Sequence, residues 1–225
     1  IRYARFTMDH NKIIAEKAIQ HLKPLGYKRI GKSRLWIKDK GWWAILVEFQ
    51  PSQWSSGTYI NVSASTLLYE YNAWQMHTST RIQGFASAND DPDFQSKVDS
   101  MTKEAAECAT EMEINCSDLS YFVKVFTDFP ENRKSVWHYY YAGILNSILG
   151  NCSLAKQCFT YVAEREYEHL FEQAIKLRSA ELEFLIDFPE QYKSAVLGIV
   201  LRARQVKNLD GFNLKNFSLP WASNA

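Results

Sequence analysis

No stretch of this sequence approaches the run of about eighteen apolar residues that reads as a membrane-spanning helix. The N-terminus also lacks a basic segment followed by an apolar run and a small-residue cleavage site. A cytoplasmic protein with no membrane partner is the expectation. Residues 1–7 read as upstream or appended sequence ahead of a natural start at Met8. The glycines form no phosphate-binding loop, and the five histidines are scattered without ligand spacing. Four cysteines, Cys108, Cys116, Cys152 and Cys158, are 8, 36 and 6 positions apart with no C-x-x-C pair. That spacing excludes the common zinc patterns. The cysteines read instead as small apolar residues in helices, kept reduced. Neither a metal nor a cofactor is expected, and no Ser/His/Asp or Cys/His set has a recognisable local sequence.

What the sequence has is apolar content, 46% of 225 residues, enough for a genuine core. Its charge is nearly balanced in sum but uneven in place. Met8 to Ile60 carries nine Lys/Arg against four Asp/Glu, and Asp90 to Glu131 carries eleven acids against three Lys. Such polarity either presents two different faces to partners or describes solvated surfaces.

The hydrophobic period changes along the chain, which predicts an α+β protein in two parts. Ile14, Ala18 and Leu22 give one helix over 12–22, with Asn11 or Asp9 to cap it and Pro24 and Gly26 to end it. Alternation then predicts strands at Arg34 to Lys38, Trp42 to Gln50 and Thr58 to Ala64, with the first two joined at Asp39-Lys40-Gly41. Thr78 to Phe85 offers a fourth. The expected N-terminal unit, residues 8–88, is thus a helix plus a small antiparallel sheet of three or four strands. Ser87 to Pro92 has the composition of a linker.

Residues 93–225 follow a helical period and predict an all-α bundle of antiparallel hairpins. Its helices are marked by Val98/Met101/Ala105, Leu119/Phe122/Phe126, Trp137/Tyr141/Ile144/Ile148, Leu154/Ala155/Phe159/Val162, Leu170 to Leu185 and Tyr192 to Val206. Asp128 to Ser135 matches Asp187 to Ser194 at six of eight positions. In each copy Asp can cap a new helix, Pro can sit in its first turn and Glu can complement its dipole. Either one helix-start device is used twice or a hairpin has been duplicated. Gly143, Ala155 and Phe159 have the small-small-aromatic spacing of a tetratricopeptide unit, which this hairpin resembles.

Two chemistries have their ingredients on the strand-rich side. Glu16, Asp39 and Glu48, with Gln50, have the composition of a carboxylate set that holds magnesium in metal-dependent nucleases. Asp39 falls in a hairpin turn, and Gln50 stands where such sites carry a lysine. The basic run from Lys23 to Lys40, interleaved with Trp36, Trp42 and Trp43, has the ingredients for phosphate contacts and base stacking. Strand alternation must send some of these tryptophans into the core, so nucleic acid is the lesser expectation.

Leu22-Lys23-Pro24-Leu25-Gly26-Tyr27-Lys28-Arg29, Val47-Glu48-Phe49-Gln50-Pro51-Ser52-Gln53-Trp54 and Tyr59-Ile60-Asn61-Val62, in that order, resemble the bacterial family catalogued as domain of unknown function 4304. The resemblance covers about Asn11 to Phe85, and Trp137-His138-Tyr139-Tyr140-Tyr141-Ala142-Gly143 is similar to a companion element of longer members. It implies a fold more than an activity. Gln50 and Asn61 are expected to pair between strands, and Trp54 to lid the sheet. The expected binding residues are Trp36, Gln50, Trp54, Tyr59, Asn61, Trp137 and His138. The functional expectation is a non-enzymatic intracellular binding protein, of immunity or antitoxin type, with a protein partner. A metal-dependent phosphodiesterase and a self-associating helical scaffold are the alternatives, and the oligomeric state is left open.

Overall fold

Asp9 opens the first helix of the computed structural model, which describes residues 9–88, 93–128, 135–209, 219 and 221. Its carboxylate accepts from the Asn11 and Lys12 amides, so Asp9 rather than Asn11 is the cap. Helix α1 (His10–Leu22) buries Ile13, Ile14, Ala18 and Leu22. A 3-10 turn at Lys23–Leu25 closes it, and Gly26 at φ +90° provides the left-handed residue that reverses the chain.

Six strands follow: β1 (Lys28–Arg29), β2 (Leu35–Asp39), β3 (Trp43–Pro51), β4 (Gly57–Thr66), β5 (Thr78–Arg81) and β6 (Ala86–Ser87). They form one antiparallel sheet in the order β1-β2-β3-β4-β5, with β6 also on β4. Where three or four strands are expected, the described residues hold six. The additional two are two residues long, too short to show a period, and are defined only by their partners Trp36/Ile37 and Gly57/Thr58. Helices α2 (Phe94–Ser117), α3 (Leu119–Thr127), α4 (Val136–Ile148), α5 (Cys152–Ala163), α6 (Leu170–Leu185) and α7 (Pro189–Val206) follow among the described residues.

The chain divides into two compact units, 1–65 with 76–113 and 66–75 with 114–225. This differs from a single boundary at Ser87 to Pro92, of which 89–92 lie outside the described residues. Most of α2 belongs with the sheet. Glu113 near its end accepts from Lys38 at 2.6 Å and Lys40 at 2.8 Å, and Asp99 receives Lys17 at 2.8 Å and His21 at 3.0 Å. Register with Ile45 puts Lys38 on the face of Trp43, Ile45, Val47 and Phe49, all buried, so α2 runs along that face.

Segment 66–75 belongs with the helices because they hold it from many sides. Glu70 accepts from Arg178 and, at 2.6 Å, from Arg202. Tyr140 donates to the Leu68 carbonyl at 3.0 Å and Tyr141 to Gln75 at 2.5 Å. Lys207 donates to the carbonyls of Tyr71 and Ala73, both at 2.8 Å, with its ammonium 4.5 Å from the Trp74 ring centre.

Within the bundle, consecutive helices pack on one another from α3 to α7. A Cβ on Gly143 of α4 would lie 2.5 Å from the Phe159 ring of α5, so only glycine lets that ring seat. The second Asp-Phe-Pro-Glu copy departs from its expectation. Pro189 and Glu190 do occupy the first turn of α7, but Phe188 is at the cap position and Asp187 binds Lys156 at 2.7 Å. In the first copy, residues 129–134 lie outside the described residues. All four cysteines are free thiols, and burial pushes Cys116 up to about 12.

Candidate functional site

The β3–β4 pairing brings Gln50 and Asn61 together, and Tyr59 is two residues before Asn61 on the same face of β4. Asn61 is the hub. Its amide nitrogen donates to Glu48 at 3.1 Å and to Gln50 at 3.0 Å, and its oxygen accepts from Arg81 Nε at 2.9 Å. Arg81, directly opposite Asn61 in the β4–β5 ladder, also donates to Gln50 at 2.7 Å. The Arg81 guanidinium lies 4.8 Å from the Tyr59 ring centre, and that ring is 4.7 Å from Phe85. Gly57 makes room for this pairing, since a Cβ there would lie 2.4 Å from the Phe85 ring and 2.2 Å from the Ala86 carbonyl oxygen.

Trp54 sits in the connection between β3 and β4, at the end of the sheet that carries Tyr59. It is 94% exposed, so it does not lid the sheet. Ser52 Oγ accepts from the Trp54 amide at 3.1 Å and from the Ser55 amide at 3.4 Å, fixing the backbone that presents the indole. Tyr59, Phe85 and Arg81 make an aromatic and cationic surface over a paired polar network, and the exposed Trp54 is carried by the loop that leads into the same strand β4. Sequence reasoning missed Arg81 and Phe85. The available signal was alternation in Thr78 to Phe85, which puts Arg81 and Ser79 on the face of Asn61 and Ser63.

Other expected site residues are placed elsewhere. Trp36, only 5% exposed, is opposite Val47 in the core face and offers no binding surface. His138 closes the start of α4: its Nδ1 accepts from the Ser135 amide at 2.9 Å in a capping box. Trp137, in the helical unit, belongs to an aromatic cluster with Tyr69 at 4.8 Å, Tyr141 at 5.8 Å and Phe171 at 6.3 Å.

The carboxylate set is not assembled. Among the described residues no group of three or more His, Cys, Asp or Glu could hold a metal ion. Asp39 is opposite Ala44 and Glu48 opposite Leu35, four residues away along β2, or about 13 Å. Asp39 accepts from the Gly41 amide in the hairpin turn, and Glu16 is an exposed helix residue 4.0 Å from Lys12.

Residues 18–115 match the family model described as Domain of unknown function (DUF4304). The DUF4304 match contains all three sequence motifs; it begins seven residues after Asn11, where the resemblance starts, and passes Phe85, where it ends, to include most of α2. Trp137 to Gly143 lies outside it. No curated protein and no solved structure matches the chain. Among the described residues no helix is long and apolar enough to cross a membrane.

Proposed function

We propose that this chain is a non-enzymatic binding protein of the bacterial cytoplasm that docks a partner protein on the β3–β4 end of its sheet. The observation carrying this reading is Trp54, 94% exposed in the connection between β3 and β4, at the end of the sheet where the Tyr59 ring meets Phe85 and Arg81. Tryptophan, tyrosine and arginine are the residues that dominate binding energy at protein interfaces. The polar network beneath gives this surface a fixed shape, since Asn61 ties three neighbours to one position. Preorganisation of this kind reduces the ordering cost of association. The finer form of the proposal is an immunity or antitoxin-type role, which requires one cognate partner held at stoichiometric yield. The α4–α5 pair, with Phe159 seated on Gly143, supports a tetratricopeptide-like packing mode in the helical unit.

The test is affinity capture of the partner from native lysate by the wild-type chain and by Trp54→Ala. Loss of this exposed indole leaves the fold intact, and binding is expected to weaken by about 30-fold or more. Absence of any stoichiometric partner, or equal capture by the variant, overturns the proposal.

A further inference from the structure

Helix α6 has apolar residues on two opposite sides. Ile175, Ser179, Leu182 and Ile186 are buried on the inner side. On the outer side Leu170, Leu177 and Phe184, at intervals of seven, are 82%, 73% and 69% exposed. Ala174 and Ala180 are exposed between them. The outer stripe therefore reads large, small, large, small, large at spacings of 4, 3, 3 and 4. That order is the same from either end.

We infer that α6 pairs with α6 of a second copy of this chain, antiparallel, across a two-fold axis at Leu177. An isologous interface must be its own complement under reversal of chain direction. Reversal about Leu177 exchanges Leu170 with Phe184 and Ala174 with Ala180, so each large residue meets a large one and each alanine an alanine. The alanines let the two helices approach closely on either side of the central leucine. The same operation brings Gln173 opposite Glu181, both exposed. Gln173 donates one amide hydrogen to the Tyr167 carbonyl at 3.0 Å and keeps the second for the facing carboxylate.

None of the five positions is charged, but Glu181 lies on the same side, four residues after Leu177 and three before Phe184, so the pairing encloses one carboxylate per copy and Gln173 of the second copy is its hydrogen-bond donor. Its area suits a dimer. With Phe188, 5.4 Å from Phe184, the stripe exposes on the order of 600 Å² of apolar surface. A standard interface takes about 800 Å² from each partner, and the exposed Ala174, Ala180, Gln173 and Glu181 add to the area of the large side chains. A seven-residue interval also keeps a seam facing its partner along the length of a helix pair. This pairing uses none of the residues assigned to the partner-docking end of the sheet.

Sedimentation equilibrium on the full chain tests it. The expected mass is twice 26.1 kDa for wild type and for Trp54→Ala, and 26.1 kDa for Leu177→Glu with an unchanged circular dichroism spectrum. Geometry is read by oxidative cross-linking in a Cys152→Ser background. Leu177→Cys is expected to link to itself. Leu170→Cys is not, but it should link to Phe184→Cys in a mixture, because the two positions are about 21 Å apart along one helix. A wild-type chain that stays monomeric at roughly 100 μM, or a Leu177→Glu dimer, overturns the inference. So does self-linking of Leu170→Cys, which would signify a parallel pair.

Discussion

Arg81 donates from Nε to the side-chain oxygen of Asn61 across the β4–β5 ladder, and through that bond a third strand joins a network begun by Glu48 and Gln50. Asn61 is buried while Arg81 is exposed, so the pair links the sheet interior to its surface.

Asn61→Ala removes all three bonds at once. Glu48, Gln50 and Arg81 can still reach water, which limits the loss to about 1–2 kcal/mol. Urea denaturation should show that decrease, and partner affinity should decrease further because Arg81 and Tyr59 lose their fixed relation. Arg81→Ala, removing only the exposed member, should change stability by no more than about 1 kcal/mol.

Gly143→Ala places a methyl group where the Phe159 ring already lies, 2.5 Å away. Either the ring leaves its rotamer or α4 and α5 separate, at a cost of about 1–3 kcal/mol. The melting temperature should fall by roughly 2–4 °C for each kcal/mol. Gly198→Ala is the control: its new methyl group meets only the end of the flexible Arg202 side chain, at 3.1 Å, and should cost much less.

Stability should decrease on acidification, in part through Glu70. Burial raises the pKa of its carboxyl, but hydrogen bonds from Arg178 and Arg202 outweigh burial and hold it below the ordinary value. A depressed carboxylate contributes stability that is complete above its unfolded pKa and is lost as pH falls through the folded one. The window is therefore below about pH 5. Glu70→Gln should cost about 1–3 kcal/mol at pH 7, because two guanidinium groups lose their charged acceptor. The urea midpoints of variant and wild type should draw together as pH falls and Glu70 takes up its proton.

The sequence made the elements legible wherever period had length to act. Helices α2 to α7 follow from apolar spacing, and strands β2 to β5 from alternation. Face assignment was less legible. Trp36, Trp42 and Trp43 are near neighbours in sequence, yet which side each takes depends on the register of β2 with β3. His138 resembled a binding residue because nothing local reveals that its Nδ1 serves the Ser135 amide. The division between units was the least legible. It depends on Glu70 meeting Arg178 and Arg202, which are 108 and 132 residues further along the chain. Trp54 was singled out from its motif, but exposure, the property that matters, came only from the hairpin geometry.

The same separation has a consequence during synthesis. Segment 66–75 leaves the ribosome long before α6 and α7, and Lys207 follows Tyr71 by 136 residues. At bacterial or eukaryotic elongation rates of about 5–20 residues per second, the segment waits on the order of ten seconds for its arginines and lysine. Glu70 lacks both its guanidinium partners over most of that interval, and Trp74 lacks the Lys207 ammonium over all of it. A nascent chain stalled before Arg178 should therefore expose a protease-sensitive site at 66–75 that the finished protein lacks.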